Sequence, residues 1–584
     1  MPLNAWLPGL GGFPAPNYYR AAQEIKTTKN NFKLLSNAFL TYSPIKGLVL
    51  KSAINVEYGA GNSKFFNPST SSTGFATVPP ITAVAHYKNN FDLSWLLENT
   101  ATYSKSFGDH NFEALAGYST QKYNFKYTSI RASGFPDDRI NDIDAATTLV
   151  LDGTDSDDQE WSLISYISRL NYDYKGKYMV SAAIRRDGSS RFGSDNRWGN
   201  FPSVSVGWVA SDESFFPKNK TINFVKLRGS YGLTGNNNIG NYTQYALVNL
   251  DATAIFGSTI ASGSYVNNLS NPMLGWETTS QLDIGADINL LNNRITVAYD
   301  YYSKRTKDLL YNFVIPNSSG FTTFTGNSGE LAFWGHEISV TSRNTVNKFK
   351  WTTNLNLTFG DNEVRSLATG INAIYAGGHV SKVGQRLGLF YGMVHDGVYK
   401  NQAEYDALPK APASAVGTVK FKDVNGDGKI INANEQSGGD QTVIGDPTPD
   451  FLFGFTNNFS YKNFDLAIVM SGSVGNDLAN RFESGTTNLD GPFNVLKEVK
   501  DRWRSPENPG AGKYGTTKIA TSMERDWFNS RFIQDGSFLT VKNITLGYNM
   551  NVKKLKYFSR MRVFASVQQA YTFTKYKGNN PEVS

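Results

Sequence analysis

Cysteine is absent from this chain of 584 residues, which excludes disulfide staples and thiolate zinc sites. Long hydrophobic runs are missing as well: no stretch of about 18 apolar residues occurs, so no helix is expected to span a membrane. The five histidines, His86, His110, His336, His379 and His395, are scattered and show no metal-ligand spacing. The net charge is +7, but the cations are spread along the chain and form no basic stripe, which argues against nucleic acid as a partner. No helical heptad and no repeat of about 30 residues is present, which sets aside solenoids and propellers. The opening MPLNAWLPGLGG lacks a basic segment followed by a continuous apolar one and does not read as a signal peptide. An exported protein is then expected to have its start outside this sequence.

Aromatic residues, by contrast, are abundant. The chain holds 38 Phe, 31 Tyr and 10 Trp, yet its mean hydropathy is only −0.38. Membrane barrels combine these two properties, because lumen residues dilute every hydropathy window and aromatics form girdles at the interfaces. A surface protein built of β-sandwiches has a similar composition, so the pattern has to decide. From Gln281 to Tyr302, Leu282, Ile284, Ala286, Ile288 and Leu290 alternate with Gln281, Asp283, Gly285, Asp287 and Asn289. After Leu291, Asn292 and Asn293 the alternation resumes, with Ile295, Val297, Tyr299 and Tyr301 against Arg294, Thr296, Ala298 and Asp300. A period of two around a short Asn-Asn connection predicts a hairpin. One face is apolar for about ten residues, the length a tilted strand needs to cross a bilayer.

The same pattern recurs along the chain. It predicts strands over 34–44 and 48–58, 91–105 and 111–127, 164–174 and 178–184, and then near 203–210, 225–233, 333–342, 349–359, 451–461, 464–473, 539–550 and 561–573. Connections such as Ile45-Lys46-Gly47, Phe107-Gly108-Asp109 and Lys175-Gly176 are short, whereas others run to twenty or more residues. Short turns on one side and long loops on the other fit an outer-membrane barrel. In the strand from Phe349 to Phe359, Lys350, Thr352, Asn354, Asn356 and Thr358 make a face too polar for a sandwich core and suited to a hydrated lumen. The fold class expected is therefore all-β, a large antiparallel transmembrane barrel with about 16 strands in this chain.

Several stretches carry a resemblance to a family. They are 169–178 (RLNYDYKGKY), 186–193 (RDGSSRFG), 198–208 (WGNFPSVSVGW), 226–236 (KLRGSYGLTGN), 276–285 (WETTSQLDIG), 421–429 (FKDVNGDGK), 445–451 (GDPTPDF) and 535–547 (DGSFLTVKNITLG). In this order they resemble the SusC-like (SusC/RagA) branch of the TonB-dependent outer-membrane transporters of Bacteroidota, over nearly the whole chain. The resemblance implies a barrel of about 22 strands, an N-terminal plug, a SusD-type surface lipoprotein as lid, and TonB-driven uptake of an oligosaccharide or, second, a peptide. No plug, TonB box or small N-terminal sandwich domain is found, and no final strand ending in an aromatic residue closes the chain after Phe573. The expectation is that residues 1–584 form one partial barrel domain in contact with outer-membrane lipid, its plug and last strand missing. The rival is a non-transporting surface β protein, an adhesin or sandwich array.

One motif has the spacing of a metal loop. Asp423, Asn425 and Asp427 supply oxygens at positions 1, 3 and 5, followed by Gly428 and Ile430, as at the front of a calcium loop. Position 12 is Asn434, with the carboxylate of Glu435 one place later, so the candidate calcium ligands are Asp423, Asn425, Asp427 and Glu435. An acidic external turn that needs no metal is the alternative. Asp187-Gly-Ser-Ser-Arg191 lacks the glycine-flanked nucleophile elbow and a paired His, and Gly232-Leu-Thr-Gly235 is too short for a phosphate loop. No catalytic residue is expected. Trp198, Tyr242, Tyr245, Trp334, Tyr375 and Tyr391 are aromatics on which a sugar ring could stack, but girdle or loop packing is the commoner role of an aromatic in this chain, and none is nominated as a site residue.

Overall fold

The computed structural model describes residues 18–71, 80–217, 219–257, 259–489, 494–517, 523, 526–552 and 557–582. Its largest sheet has seventeen strands, one of which is the two-residue Thr148–Leu149, leaving sixteen long ones. The first eight are β1 (Lys26–Tyr42), β2 (Leu48–Asn67), β3 (Val84–Phe107), β4 (His110–Ser133), β5 (Asp155–Tyr174), β6 (Tyr178–Ser189), β7 (Trp198–Val209) and β8 (Ile222–Asn236). They continue as β9 (Glu277–Leu290), β10 (Ile295–Lys307), β11 (Glu330–Val346), β12 (Phe349–Ser366), β13 (Phe451–Tyr461), β14 (Phe464–Val474), β15 (Phe538–Met550) and β16 (Met561–Thr574). Each pairs antiparallel with the next, so the wall is a single meander and the sandwich alternative falls.

Register carries the two faces from strand to strand. On β9, Leu282, Ile284, Ala286 and Ile288 lie beside Tyr231, Gly229, Leu227 and Val225 of β8 and beside Ser303, Tyr301, Tyr299 and Val297 of β10. This is the outer face: Ile284 is 53% exposed and Leu282 and Tyr299 are 38% exposed despite being apolar. Asp283 and Asp287 lie on the opposite face beside Ser230 and Lys226, with Asp300 across from Gly285. A one-residue slip would send every one of these carboxylates into lipid, which fixes the register. Near the short turns the outer face is aromatic. Phe112 and Tyr172 have ring centroids 4.8 Å apart, and Phe464 and Tyr548 likewise.

The short turns use left-handed backbone. Lys175 and Gly176 have φ of 57° and 69°, and Leu291, Asn292 and Asn293 have 53°, 56° and 60°. Such turns match the right-handed twist of the strands they join, and Asn and Gly tolerate the conformation at least cost.

Two expectations are corrected in extent. The first strand, expected over 34–44, already begins at Lys26, and a short helix, Tyr18–Glu24, precedes it. The strands also reach beyond the ten or so residues that cross a bilayer: β3 and β4 have 24 residues each, and β5 already begins at Asp155 within a stretch expected to be loop. Above the membrane both faces meet water, so sequences such as Asp155-Ser-Asp-Asp-Gln-Glu160 lose the alternation while the backbone ladder continues. Among the described residues β1 pairs only with β2 and β16 only with β15, so the wall is open along one seam. All 17 residues of β1 are exposed.

An arginine substituted for Leu282, Ile284 or Ile288 should cost about 2–4 kcal/mol of folding stability in bilayers. A lumen change such as Ser230→Ala should leave it within about 0.5 kcal/mol. Denaturant titration of the bilayer-inserted protein checks both.

Candidate functional site

The inner face of the wall is lined by charges that neutralise one another. Arg228 on β8 reaches across Gly285 to two carboxylates, bonding Asp300 through Nη2 at 2.7 Å and Asp287 at 3.4 Å. A Cβ at Gly285 would stand 2.8 Å from that guanidinium, so the glycine is what lets the arginine pass. Arg169 bonds Glu113 at 3.3 Å, and the Asn171 amide donates to the same carboxylate at 3.1 Å. Arg185 holds Asp187 at 2.7 Å and also donates to Ser165 at 3.0 Å. Arg562 on β16 bonds Asp465 on β14 at 3.1 Å, and Lys33 bonds Glu57. Part-exposed pairs of this kind contribute at most about 1 kcal/mol each. Their larger effect is to keep the passage polar without a strong net field. Toward the short-turn end the lumen opens into a cavity of about 1330 Å³, with Lys46, Glu113, Asp173, Lys226, Arg228 and Asp283 in its wall.

On the long-loop side, the 367–450 connection between β12 and β13 and the 475–537 connection between β14 and β15 fold together. Met393, Val398, Val419, Phe421 and Ile430 of the first bury against Trp503 and Met523 of the second. The Trp503 indole donates to the Lys400 carbonyl at 3.0 Å, and the Met393 amide donates to the Phe528 carbonyl at 2.9 Å. Strand Asp477–Ala479 pairs with Ile533–Asp535 within the second connection. Arg386 fastens this external domain to the wall, holding Asp361 of β12 at 2.8 Å and Asp446 at 2.7 Å. Burial pushes the His395 imidazole down to about 4, with the Arg531 charge adding to the effect.

The structure separates the four candidate calcium ligands. Asp423 accepts from the Gly426 and Gly428 amides at 2.7 and 2.8 Å, Asn425 from Asp427 at 3.0 Å, and Asp427 from Lys429 at 2.8 Å. Buried Asp440 closes the loop from below by accepting from Val424 and Ile431, both at 2.8 Å. Glu435 stands apart: its Oε1 accepts from Lys382 Nζ at 2.6 Å and from the Tyr375 hydroxyl at 3.1 Å. Lys382 holds that carboxylate below its usual range, whereas burial, with Glu435 beside it, pushes the Tyr375 hydroxyl up. A calcium loop needs its bidentate carboxylate at the closing position, and the lysine draws this one away. Among the described residues no group of three His, Asp or Glu converges on one point.

The other motifs resolve into structure. Ser189 is fully buried at the end of β6, where its hydroxyl accepts from Asn237 at 3.1 Å and from the Arg191 amide at 3.3 Å. Of the aromatics named above, Trp198 stands at the start of β7 rather than in a loop and stacks on Tyr166 of β5 at 6.1 Å, while Tyr375 and Tyr391 face each other in the external domain at 5.0 Å. The external domain itself was not foreseen from sequence. The signal was a long connection with apolar clusters such as Leu389-Phe390-Tyr391, more than a solvated loop needs.

The fold has known relatives. Residues 3–570 match the family model described as TonB dependent receptor-like, beta-barrel. TonB-dependent receptor P39 of Formosa agariphila is 31% identical over 95% of this chain and 56% of its own length. TonB-dependent receptor SusC of Bacteroides thetaiotaomicron is 34% identical over 72% of this chain and 41% of its own length. Among solved structures, the RagAB peptide transporter superposes with a TM-score of 0.82 at 25% identity, covering 97% of this chain and 61% of that one. The chain belongs to the TonB-dependent receptor β-barrel family, in its SusC/RagA-like branch, and is an outer-membrane protein. It spans about half the length of the curated relatives it matches.

Protonating His395 requires desolvating an imidazolium, so the folded state binds fewer protons than the unfolded one between pH 6.5 and 4. Stability of the external domain should be full above pH 6.5 and fall as pH drops to 4, by about 3 kcal/mol in all. Trp fluorescence during denaturation across this range reads the loss, and His395→Gln should flatten it.

Proposed function

We propose that the complete protein imports a nutrient across the outer membrane under TonB, with an oligosaccharide as cargo. The observation that carries this reading is a wall that is apolar outside and charge-paired inside, leading from a lumen cavity to a folded external domain. A SusD-like surface lipoprotein would cover the external face. The open seam leaves strand-edge groups that hydrocarbon penalises by several kcal/mol each. We propose that further strands join β1 to β16 in the complete protein and enclose the plug on which TonB acts. The reading involves no catalytic step. Peptide cargo is the second reading, favoured by the likeness to the RagAB peptide transporter.

Uptake of labelled oligosaccharide by cells should depend on the gene and stop when the proton-motive force is dissipated. Uptake of peptide alone would favour the second reading.

For the acidic loop we propose weak calcium binding through Asp423, Asn425 and Asp427, without Glu435. Calorimetry should show dissociation in the range of 10⁻⁴–10⁻³ M at best, unchanged by Glu435→Gln and abolished by Asp423→Ala.

A further inference from the structure

We propose that a chamber in the external domain is a binding subsite for one ring of a neutral saccharide. The chamber holds about 270 Å³ and opens between the acidic loop and a four-stranded sheet made of Ala373–Ala376, His379–Lys382, Leu389–Gly392 and Thr442–Gly445. The proposal rests on the import reading for the fate of the ligand, and on the chamber alone for its binding.

Three features of the lining point to a polyhydroxylated ligand. The first is an acceptor without a donor. Gln385 Oε1 is buried at the chamber and has no hydrogen-bond partner among the described residues. A buried acceptor without a donor is unfavourable, and a ligand hydroxyl in the chamber would satisfy it once the amide turns about its soft terminal torsion to bring Oε1 to the open space. The second is the Lys382–Glu435 pair, whose groups are 36% and 51% exposed. Both contacts to Glu435 fall on Oε1, so the ammonium and the other carboxylate oxygen present a donor and an acceptor side by side. Adjacent sugar hydroxyls each donate and accept, and that doublet matches them. The third is an apolar wall: Tyr391 is buried against Tyr375, with ring planes 52° apart, and offers an aromatic edge to the C–H face of a ring.

The lining is held open and is electrically balanced. The Gln441 amide nitrogen is tied to Asn432 at 2.8 Å and that of Asn425 to the Gly438 carbonyl at 3.0 Å, so neither side chain folds into the space. Lys382 and Glu435 neutralise each other, leaving no uncompensated charge for a peptide terminus or an acidic sugar to pair with. The volume lies below the range of about 300–1,000 Å³ typical of whole-ligand pockets. It suits a single ring of a longer chain and is too short for an extended peptide.

The test uses the protein expressed from its complete gene, purified from outer membranes, and titrated with maltohexaose, cellohexaose, mannohexaose, oligogalacturonate and hexa-alanine. At least one neutral hexasaccharide should bind, and Gln385→Leu and Glu435→Gln should each weaken it tenfold or more. Oligogalacturonate and hexa-alanine should not bind at the chamber, so any binding they show should be unaffected by either variant. Unchanged Trp fluorescence separates these effects from misfolding of the external domain, and Tyr375→Phe serves as a conservative second variant with a smaller loss. Absence of binding by every neutral probe overturns the proposal, as do variants that bind the neutral probes like the parent or a loss confined to the peptide. Failure of the import reading looks different: uptake would not depend on the gene, while binding and its loss in the variants would persist.

Discussion

Hydrocarbon offers no partner to a backbone amide, and the architecture of this chain follows from that constraint. Each of the fifteen inner seams joins a wall strand to the next wall strand along the chain, whether a short turn or a long connection lies between them, so the ladder is satisfied within one meander. Satisfying the backbone fixes the pleat, and the pleat dictates the alternation of lipid-facing and lumen-facing residues. A protein with low mean hydropathy can therefore be a membrane protein. Half of every strand is free to be Asp, Asn, Lys or Ser, provided it points inward.

Inward charges still carry a desolvation cost, and here it is offset by pairing across strands. Arg228 shows how the sequence arranges it. The arginine is on β8, its carboxylates are on β9 and β10, and the glycine between them has no side chain to obstruct the contact. The external domain solves the same problem by different means. It has an apolar core of its own, and its fully buried Asp440 is saturated by backbone amides rather than by a cation.

Legibility in the sequence followed the same physics. Where one face met lipid and the other water, the period of two was plain: Phe451–Tyr461 read correctly to the residue, and so did the turn around Leu291-Asn292-Asn293, although its two strands extend past the expected 281–302 to Glu277 and Lys307. Beyond the bilayer both faces meet water, and the outer ends of β3, β4 and β5, residues 84–90, 128–133 and 155–163, read as loop because nothing selects for alternation there. The external domain was illegible for a further reason. Its core joins Phe421 to Trp503 across more than eighty residues of chain, and no local window contains such a contact. In the acidic loop, spacing put Glu435 beside Asp423, Asn425 and Asp427 as a candidate ligand but could not reveal that Lys382 and Tyr375 hold its carboxylate elsewhere.

The two connections that make the external domain spring from β12 to β15, four strands that stand side by side in the wall. All four of its chain crossings therefore fall on one arc of the rim. A body tethered that way is a graft on one side of the rim, fixed there by Arg386, which bonds Asp361 of the wall and Asp446 of the connection.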